Sequence, residues 1–122
     1  MPRVLVVDDE PDVLLLCRLN LEQQGFEVLA ASDGRTALEL LGEERPDVVV
    51  LDLMMPGLSG YDVLEAIRGE EELGETPILV LTARSLQADR DRSAELGASA
   101  FLTKPFLPSE LCDLVRSLAG TA

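Results

Sequence analysis

Short apolar runs alternate with longer helix-like segments along this chain, and this alternation leaves few possible folds. The runs are rich in Val, Leu and Ile, as is typical of strands buried on both faces of a parallel sheet. The predicted strands cover 3–7, 26–31, 47–52, 77–82 and 100–103, and the predicted helices cover 11–24, 34–43, 59–70, 85–96 and 108–119. Five such repeats predict one α/β domain over residues 1–122, with right-handed crossovers and helices on both faces of the sheet.

Proline and glycine lie where this alternation predicts helix ends. Pro11 and Pro108 suit first helical positions, where the backbone N–H that proline lacks would have no partner within the helix. Gly25 and Gly97 suit the left-handed residue that commonly ends a helix. Two independent signals therefore predict the same boundaries.

Candidate reactive side chains lie at the carboxyl ends of four of the five predicted strands, whereas the second strand is followed by Ser32 without such a cluster. Asp8 and Asp9 follow the first strand, and Asp52 ends the third. Thr82 ends the fourth strand, and Lys104, the only lysine in the chain, follows the fifth. We expect the strand order 2-1-3-4-5. In this order the connections that follow strands one and three run toward opposite edges of the sheet. Ligands in such sheets bind beyond the carboxyl ends of the strands at this reversal, so these residues should share one crevice.

This set of residue types predicts phosphoryl chemistry. Three carboxylates in one crevice raise one another's pKa, and a divalent cation removes that conflict. Mg²⁺ suits an all-oxygen site best. Asp52 is then the candidate nucleophile, because a carboxylate can attack phosphorus to form an aspartyl-phosphate. Lys104 would pair with one phosphoryl oxygen, and Thr82 would donate a hydrogen bond to another.

Each of these residues also has a purely structural interpretation. Asp8 or Asp9 could cap the first helix, and Asp52 could cap a turn. Thr82 could be an ordinary β-branched strand residue, and Lys104 could be a surface charge. The occurrence of all five at carboxyl ends of predicted strands favours a shared site.

The same motifs resemble those of bacterial two-component response-regulator receiver domains, over essentially the whole chain. Asp8 and Asp9 resemble the acidic pair, and Asp52 resembles the phosphoacceptor. Thr82 resembles the switch hydroxyl, and Lys104 resembles the phosphate-binding lysine. The resemblance implies a flavodoxin-like (βα)₅ three-layer sandwich. It also implies phosphoryl transfer to Asp52 from a histidine kinase or a histidine phosphotransfer protein, with Mg²⁺ required.

The resemblance implies further roles at and around the crevice. Met54 would offer its backbone carbonyl to the metal, and Phe101 would turn inward together with Thr82 on activation. The bond between Lys104 and Pro105 would be cis. The face formed by the fourth helix, fifth strand and fifth helix would carry the signal, often by forming a homodimer. Such a domain is a switch with self-catalysed phosphorylation and dephosphorylation rather than a turnover enzyme.

Composition narrows the partners and the compartment. A net charge of −13 argues against binding to a nucleic acid backbone by this domain. The chain has no histidine, so it cannot itself supply a donor histidine. Cys17 and Cys112 match no metal or redox spacing and are expected to be buried thiols in a reducing compartment. No segment is apolar enough to span a bilayer, and the start at Met1 leaves no room for a signal peptide, so the cytoplasm is the expected location.

Three rival functions use similar features. A phosphatase of the haloacid dehalogenase type needs a second aspartate two residues after the nucleophile, where this chain has Met54, and a cap domain that 122 residues cannot hold. A flavin-binding protein of the same sheet order needs a phosphate loop rich in Ser, Thr and Gly, whereas the first strand here ends in Asp-Asp-Glu-Pro. A phosphate relay or sink without its own output remains open.

The first helix has apolar residues on two sides. Leu15 and Leu19 point largely away from the core and are one turn apart, so they could form a partner surface. Isolated exposed leucines are also common on surfaces that bind nothing. The core-facing stripe of the helix is predicted to contain Val13, Leu16, Cys17 and Leu21.

Overall fold

The computed structural model describes residues 2–83 and 87–120. The five strands are β1 (Arg3–Val7), β2 (Glu27–Ala31), β3 (Val48–Asp52), β4 (Ile78–Thr82) and β5 (Ala100–Thr103). The five helices are α1 (Pro11–Gln23), α2 (Gly34–Glu44), α3 (Gly60–Gly69), α4 (Gln87–Glu95) and α5 (Pro108–Leu118). The predicted elements are present with small shifts at their ends, and the predicted start of the fourth helix at 85 and 86 lies outside the described residues.

The sheet is parallel throughout and has the order β2-β1-β3-β4-β5, which confirms the expected topology. Alternate residues of a strand face opposite sides of the sheet. Val4 and Val6 pack into a core layer shared with α1 and α5, while Leu5 and Val7 pack into the layer beneath α2 and α3. The fold is therefore a three-layer sandwich, and β3 and β4 are buried along their whole length.

The helix ends follow the predicted signals. Pro11 and Pro108 occupy the first turns of α1 and α5. Gly25 and Gly97 have φ angles of 93° and 101°, in the left-handed region that favours glycine. Gly60 is needed for a different reason, since a Cβ there would overlap the backbone at the end of β3. The helix α3 can therefore begin directly against the strand that carries Asp52.

The predicted core stripe of α1 is wrong at one position. Leu16 is 39% exposed, whereas Cys17 and Leu21 are fully buried. Successive helical residues are turned by about 100°, so Leu16 lies at the edge of a stripe centred on Cys17. Leu14, three residues before Cys17, packs against the core together with Val13. The outer face of α1 therefore carries three exposed leucines: Leu15, Leu16 and Leu19.

Both cysteines lie in helices, one in α1 and one in α5. Cys17 and Cys112 are buried free thiols, as predicted. Burial raises the pKa of Cys17 to about 12, so this thiol stays protonated at neutral pH.

Among the helices that the structure describes, none has the length and apolar character needed to cross a membrane.

Candidate functional site

The carboxyl ends of β1, β3, β4 and β5 bring the predicted site residues to one edge of the sheet. Asp8 directly follows β1 and is fully buried, and Asp52 ends β3 and is 2% exposed. Thr82 ends β4 and is also fully buried. The backbone N–H of Lys104 donates to the carbonyl of Thr82 at 2.7 Å, which holds the start of the loop after β5 against β4.

The three aspartates form a compact acidic cluster. Asp8, Asp9 and Asp52 each offer a carboxylate oxygen, and these oxygens lie within 4.8 Å of one another. Asp8 and Asp52 are buried, whereas Asp9 is exposed and faces solvent. The buried Asp8 Oδ2 atom contacts the Lys104 ammonium without a hydrogen bond of good geometry. A set of hard oxygen donors with an incompletely satisfied buried carboxylate fits Mg²⁺.

Lys104 lies against this cluster. Its Nζ atom is 2.7 Å from Asp8 Oδ2, 3.3 Å from Glu10 Oε1 and 3.7 Å from Asp52 Oδ2. The lysine side chain is only 11% exposed, so it is not a surface charge. Burial alone would lower the pKa of Lys104, but the carboxylates of Asp8, Asp52 and Glu10 raise it above its ordinary value. The ammonium therefore stays charged beside Asp52.

The carboxyl group of Asp52 is strongly perturbed. Burial in the crevice, reinforced by the neighbouring charge of Asp8, raises the pKa of Asp52 to about 7. The Lys104 ammonium and the backbone N–H of Met54 oppose this shift, and Asp9 adds to it. Without a cation, Asp52 is thus partly protonated at neutral pH. A buried aspartate with such a pKa is typical of a functional site.

Local hydrogen bonds place the aspartates. The N–H of Glu10 donates to Asp8 Oδ1 at 2.9 Å, and the N–H of Met54 donates to Asp52 Oδ1 at 3.2 Å. Both are side-chain bonds to the residue two positions on, a pattern that favours turns. Asp52 therefore caps the turn after β3 and also belongs to the acidic cluster. The N-cap of α1 is Glu10, with no side-chain cap, so neither Asp8 nor Asp9 caps that helix.

The remaining predicted residues surround this centre. Met54 lies two residues after Asp52, and its side chain is 47% exposed. The bond between Lys104 and Pro105 is cis. Phe101 on β5 is half-buried, and the guanidinium of Arg90 on α4 lies 4.4 Å from the centre of its ring. Phe101 thus lies on the side of β5 that α4 covers.

Two contacts near the site were not predicted. The side chain of Glu10 reaches Lys104, a role that its position directly after the acidic pair could have suggested. The hydroxyl of Tyr61 on α3 donates to the buried Oδ1 of Asp89 on α4 at 2.7 Å. No sequence signal identifies this second pair, because its members are 28 residues apart and lie on different helices.

An open cleft adjoins the acidic crevice. It has a volume of about 350 Å³ and lies between α1 and the loops that follow β4 and β5. Glu10, Leu16 and Lys104 are among the residues that line it. The exposed outer face of α1 is therefore continuous with a path toward Lys104.

The fold and the crevice define a doubly wound α/β domain whose reactive groups lie at the carboxyl edge of the sheet. Residues 4–116 match the family model described as the response regulator receiver domain. The chain belongs to this family of receiver domains from two-component systems. Members of the family are typically signalling switches rather than turnover enzymes.

Individual proteins agree with this assignment. The chain is 41% identical over 116 residues to the alkaline phosphatase synthesis transcriptional regulatory protein PhoP of Bacillus subtilis, covering 95% of this chain and 48% of PhoP. It is 46% identical over 117 residues to the transcriptional regulatory protein PrrA of Mycobacterium tuberculosis, covering 96% of this chain and 49% of PrrA. The chain spans about half the length of these curated relatives.

Solved structures show the same fold. The chemotaxis protein CheY4 of Vibrio cholerae superposes with a TM-score of 0.92 at 33% identity, covering 97% of this chain and 98% of CheY4. A Francisella response regulator receiver domain superposes with a TM-score of 0.91 at 32% identity, covering 98% of each chain. The flavodoxin-like architecture expected from the sequence is therefore confirmed.

Proposed function

We propose that residues 1–122 act as one phosphoacceptor domain that receives a phosphoryl group on Asp52. The donor is a phosphohistidine on a histidine kinase or a histidine phosphotransfer protein. The observation that carries this proposal is the position of Asp52. Its carboxylate lies 3.7 Å from the Lys104 ammonium and within a cluster of three aspartates that fits Mg²⁺. The two free thiols suit a reducing compartment, so the cytoplasm stays the predicted location.

The transfer uses the residues of the crevice in distinct roles. An Asp52 oxygen forms a bond to phosphorus while the bond from phosphorus to the donor's histidine nitrogen breaks, and the nitrogen keeps the electron pair. Lys104 offsets charge on one phosphoryl oxygen, and Thr82 donates a hydrogen bond to another. When bound, Mg²⁺ neutralises charge on the transferring group, with Asp8, Asp9, Asp52 and the backbone carbonyl of Met54 as its proposed ligands.

The same residues connect phosphorylation to the surface. Once phosphorylated, Asp52 would draw the Thr82 hydroxyl and Lys104 toward the new charge. The space that Thr82 leaves would admit Phe101, which is half-buried before activation. This movement would change the face made of α4, β5 and α5, which we propose as the signalling surface and as a surface for homodimer formation.

The proposal is tested with a small phosphoryl donor. Wild-type protein incubated with acetyl phosphate and Mg²⁺ should gain the mass of one phosphoryl group. The bond between phosphorus and the acetate oxygen breaks, and acetate is released. Intact-mass measurement after acid quenching detects the product. The same incubation with chelator should give no adduct. Absence of an adduct in Mg²⁺, with a receiver domain of known activity phosphorylated in parallel, would rule the proposal out.

Asp9 is expected to contribute more than Asp8 to metal binding. Asp8 is buried and already paired with the Lys104 ammonium, so it would contact the ion chiefly through a bound water. Asp9 is exposed and would bind the ion directly. Asp9→Ala should weaken Mg²⁺ binding more than about tenfold, and Asp8→Ala should weaken it less, by about tenfold, the lower end of the loss typical of outer-shell partners. Titration calorimetry of both variants measures this, and equal or reversed losses would contradict the assignment.

The outer face of α1 is proposed to receive the helical bundle of the kinase. Leu15 and Leu19 are 56% and 54% exposed, and Leu16 between them borders the cleft that leads to Lys104. Combining Leu15→Glu with Leu19→Glu should lower kcat/KM for transfer from the cognate kinase about tenfold or more, since buried apolar anchors dominate interfaces. The rate with acetyl phosphate, which needs no docking, should stay unchanged. If transfer from the kinase is unaffected while the fold is intact, α1 is not the docking surface.

A further inference from the structure

The ammonium of Lys104 is surrounded by three carboxylates, one of which lies outside the acidic cluster. Asp8 and Asp52 belong to that cluster, whereas Glu10 approaches from the solvent side. The Glu10 side chain is 59% exposed, and its Oε1 atom lies 3.3 Å from Nζ. The Glu10 contact is a hydrogen bond, whereas Asp8 Oδ2 contacts Nζ without good hydrogen-bond geometry and Asp52 Oδ2 lies at 3.7 Å. A phosphoryl oxygen on Asp52 that takes a hydrogen bond from Nζ would therefore compete with Glu10 for the ammonium.

The backbone position of Glu10 leaves its side chain available for this contact. Glu10 is the N-cap residue of α1, but its side chain makes no capping hydrogen bond. Ser, Thr, Asp and Asn are the residues that normally satisfy this position, and glutamate is not among them. The carboxylate of Glu10 instead contacts Lys104, and both residues line the cleft. Its contact with the lysine is therefore not a by-product of helix capping.

The three contacts differ in how easily they are given up. Asp8 is fully buried, so separating it from Lys104 would leave a buried charge without its partner. Asp52 carries the incoming group and stays beside the ammonium. Glu10 is exposed, so water can solvate its carboxylate once the contact breaks. Glu10 is thus the acceptor that a phosphoryl oxygen replaces.

We propose that Glu10 is a positioning residue that holds Lys104 in the resting state and competes with the phosphoryl group for its ammonium. This inference rests on the proposed function of Asp52. The Glu10 carboxylate also faces the cleft through which an anionic donor would approach Lys104. Glu10 competes with the phosphoryl group for Lys104, and its negative charge repels an anionic donor. Both effects slow phosphorylation, and the competition also weakens retention of a phosphoryl group. Removing its charge should favour the phosphorylated state.

The variant Glu10→Gln tests the inference because it keeps size and polarity and removes the charge. With acetyl phosphate and saturating Mg²⁺, its initial rate of phosphorylation should exceed the wild-type rate about two- to fivefold, the range for an exposed ion pair. Its affinity for beryllium trifluoride, an anion that mimics a phosphoryl group on a carboxylate, should rise by a similar factor. Both ratios should fall toward one at high salt, where exposed charges are screened.

Glu22→Gln is the matched control, since Glu22 is an exposed glutamate near the other end of α1. It removes the same charge from the same helix and should leave both quantities unchanged. Equal or larger gains in Glu22→Gln would assign the effect to net charge and overturn the inference. So would a Glu10→Gln protein that melts like wild type yet is phosphorylated no faster and binds beryllium trifluoride no tighter. A wild-type protein that accepts no phosphoryl group would instead overturn the proposed function itself.

Discussion

Asp52→Asn is expected to abolish phosphorylation by acetyl phosphate, reducing incorporation from one phosphoryl group per chain to none. The reason is that an amide oxygen is not a nucleophile for phosphorus, whereas the Asp52 carboxylate lies beside both the Lys104 ammonium and the other aspartates. Intact-mass measurement of wild type and variant under identical conditions provides the comparison. The change leaves the turn intact, because an asparagine oxygen can still accept the hydrogen bond from the N–H of Met54.

A matched control separates this effect from a general loss of negative charge. Asp113 is an exposed aspartate on α5 whose carboxylate pairs with Arg116 on the surface. Asp113→Asn should therefore be phosphorylated like wild type. Stoichiometric labelling of the Asp52→Asn protein at another residue would show that Asp52 is not the sole acceptor, and the assignment of the nucleophile would have to be withdrawn.

The metal-free protein is expected to lose stability as pH rises through the range in which Asp52 ionises. The pKa of Asp52 is about 7 in the folded protein, compared with 3.8 for an unperturbed aspartate. Between these values the folded state binds a proton that the unfolded state lacks, so the free energy of unfolding falls with rising pH. The favourable contribution is complete below 3.8 and is lost above about 7. From pH 5.5 to 7 the loss is about 1.6 kcal/mol, somewhat below 1.36 kcal/mol per pH unit because Asp52 is already half ionised at pH 7.

Denaturant unfolding in chelator at several pH values measures this dependence. The contribution of Asp52 is the difference between wild type and Asp52→Asn, because other titrating groups are common to both proteins. The variant should lack the additional decline between pH 5.5 and 7, while Asp113→Asn should retain it. Excess Mg²⁺ should reduce the decline in wild type, since a cation that binds the folded state stabilises it. Parallel curves for wild type and Asp52→Asn in chelator would disprove the raised pKa.

The residues that form the crevice could be predicted from the sequence for a geometric reason. In a parallel sheet all strands end at the same edge, so residues that follow different strands are brought together whatever their separation along the chain. Asp8, Asp52 and Thr82 follow or end apolar runs whose length and composition predict buried strands. The alternation of strands and helices predicts a parallel sheet, and the order 2-1-3-4-5 was expected because it opens the crevice between the strands that carry the aspartates.

The packing of α1 could be predicted from the sequence less well. The sequence predicts which face of a helix is apolar, but α1 has leucines around most of its circumference. Whether Leu14 or Leu16 packs inward depends on how the helix is rotated against β1, β2 and α5. That rotation places Cys17 and Leu21 at the centre of the buried stripe and leaves Leu16 at the mouth of the cleft.

Local sequence patterns predicted the element order, the helix ends marked by proline and glycine, and the residues at the carboxyl edge of the sheet. These depend on local periodicity and on steric properties of single residues. Three features emerged with the folded structure: Glu10 contacts the ammonium of Lys104, Tyr61 donates a hydrogen bond to Asp89, and the pKa of Asp52 rises to about 7. Each of these depends on burial and on distances of a few ångströms between separate elements, which local sequence patterns do not encode.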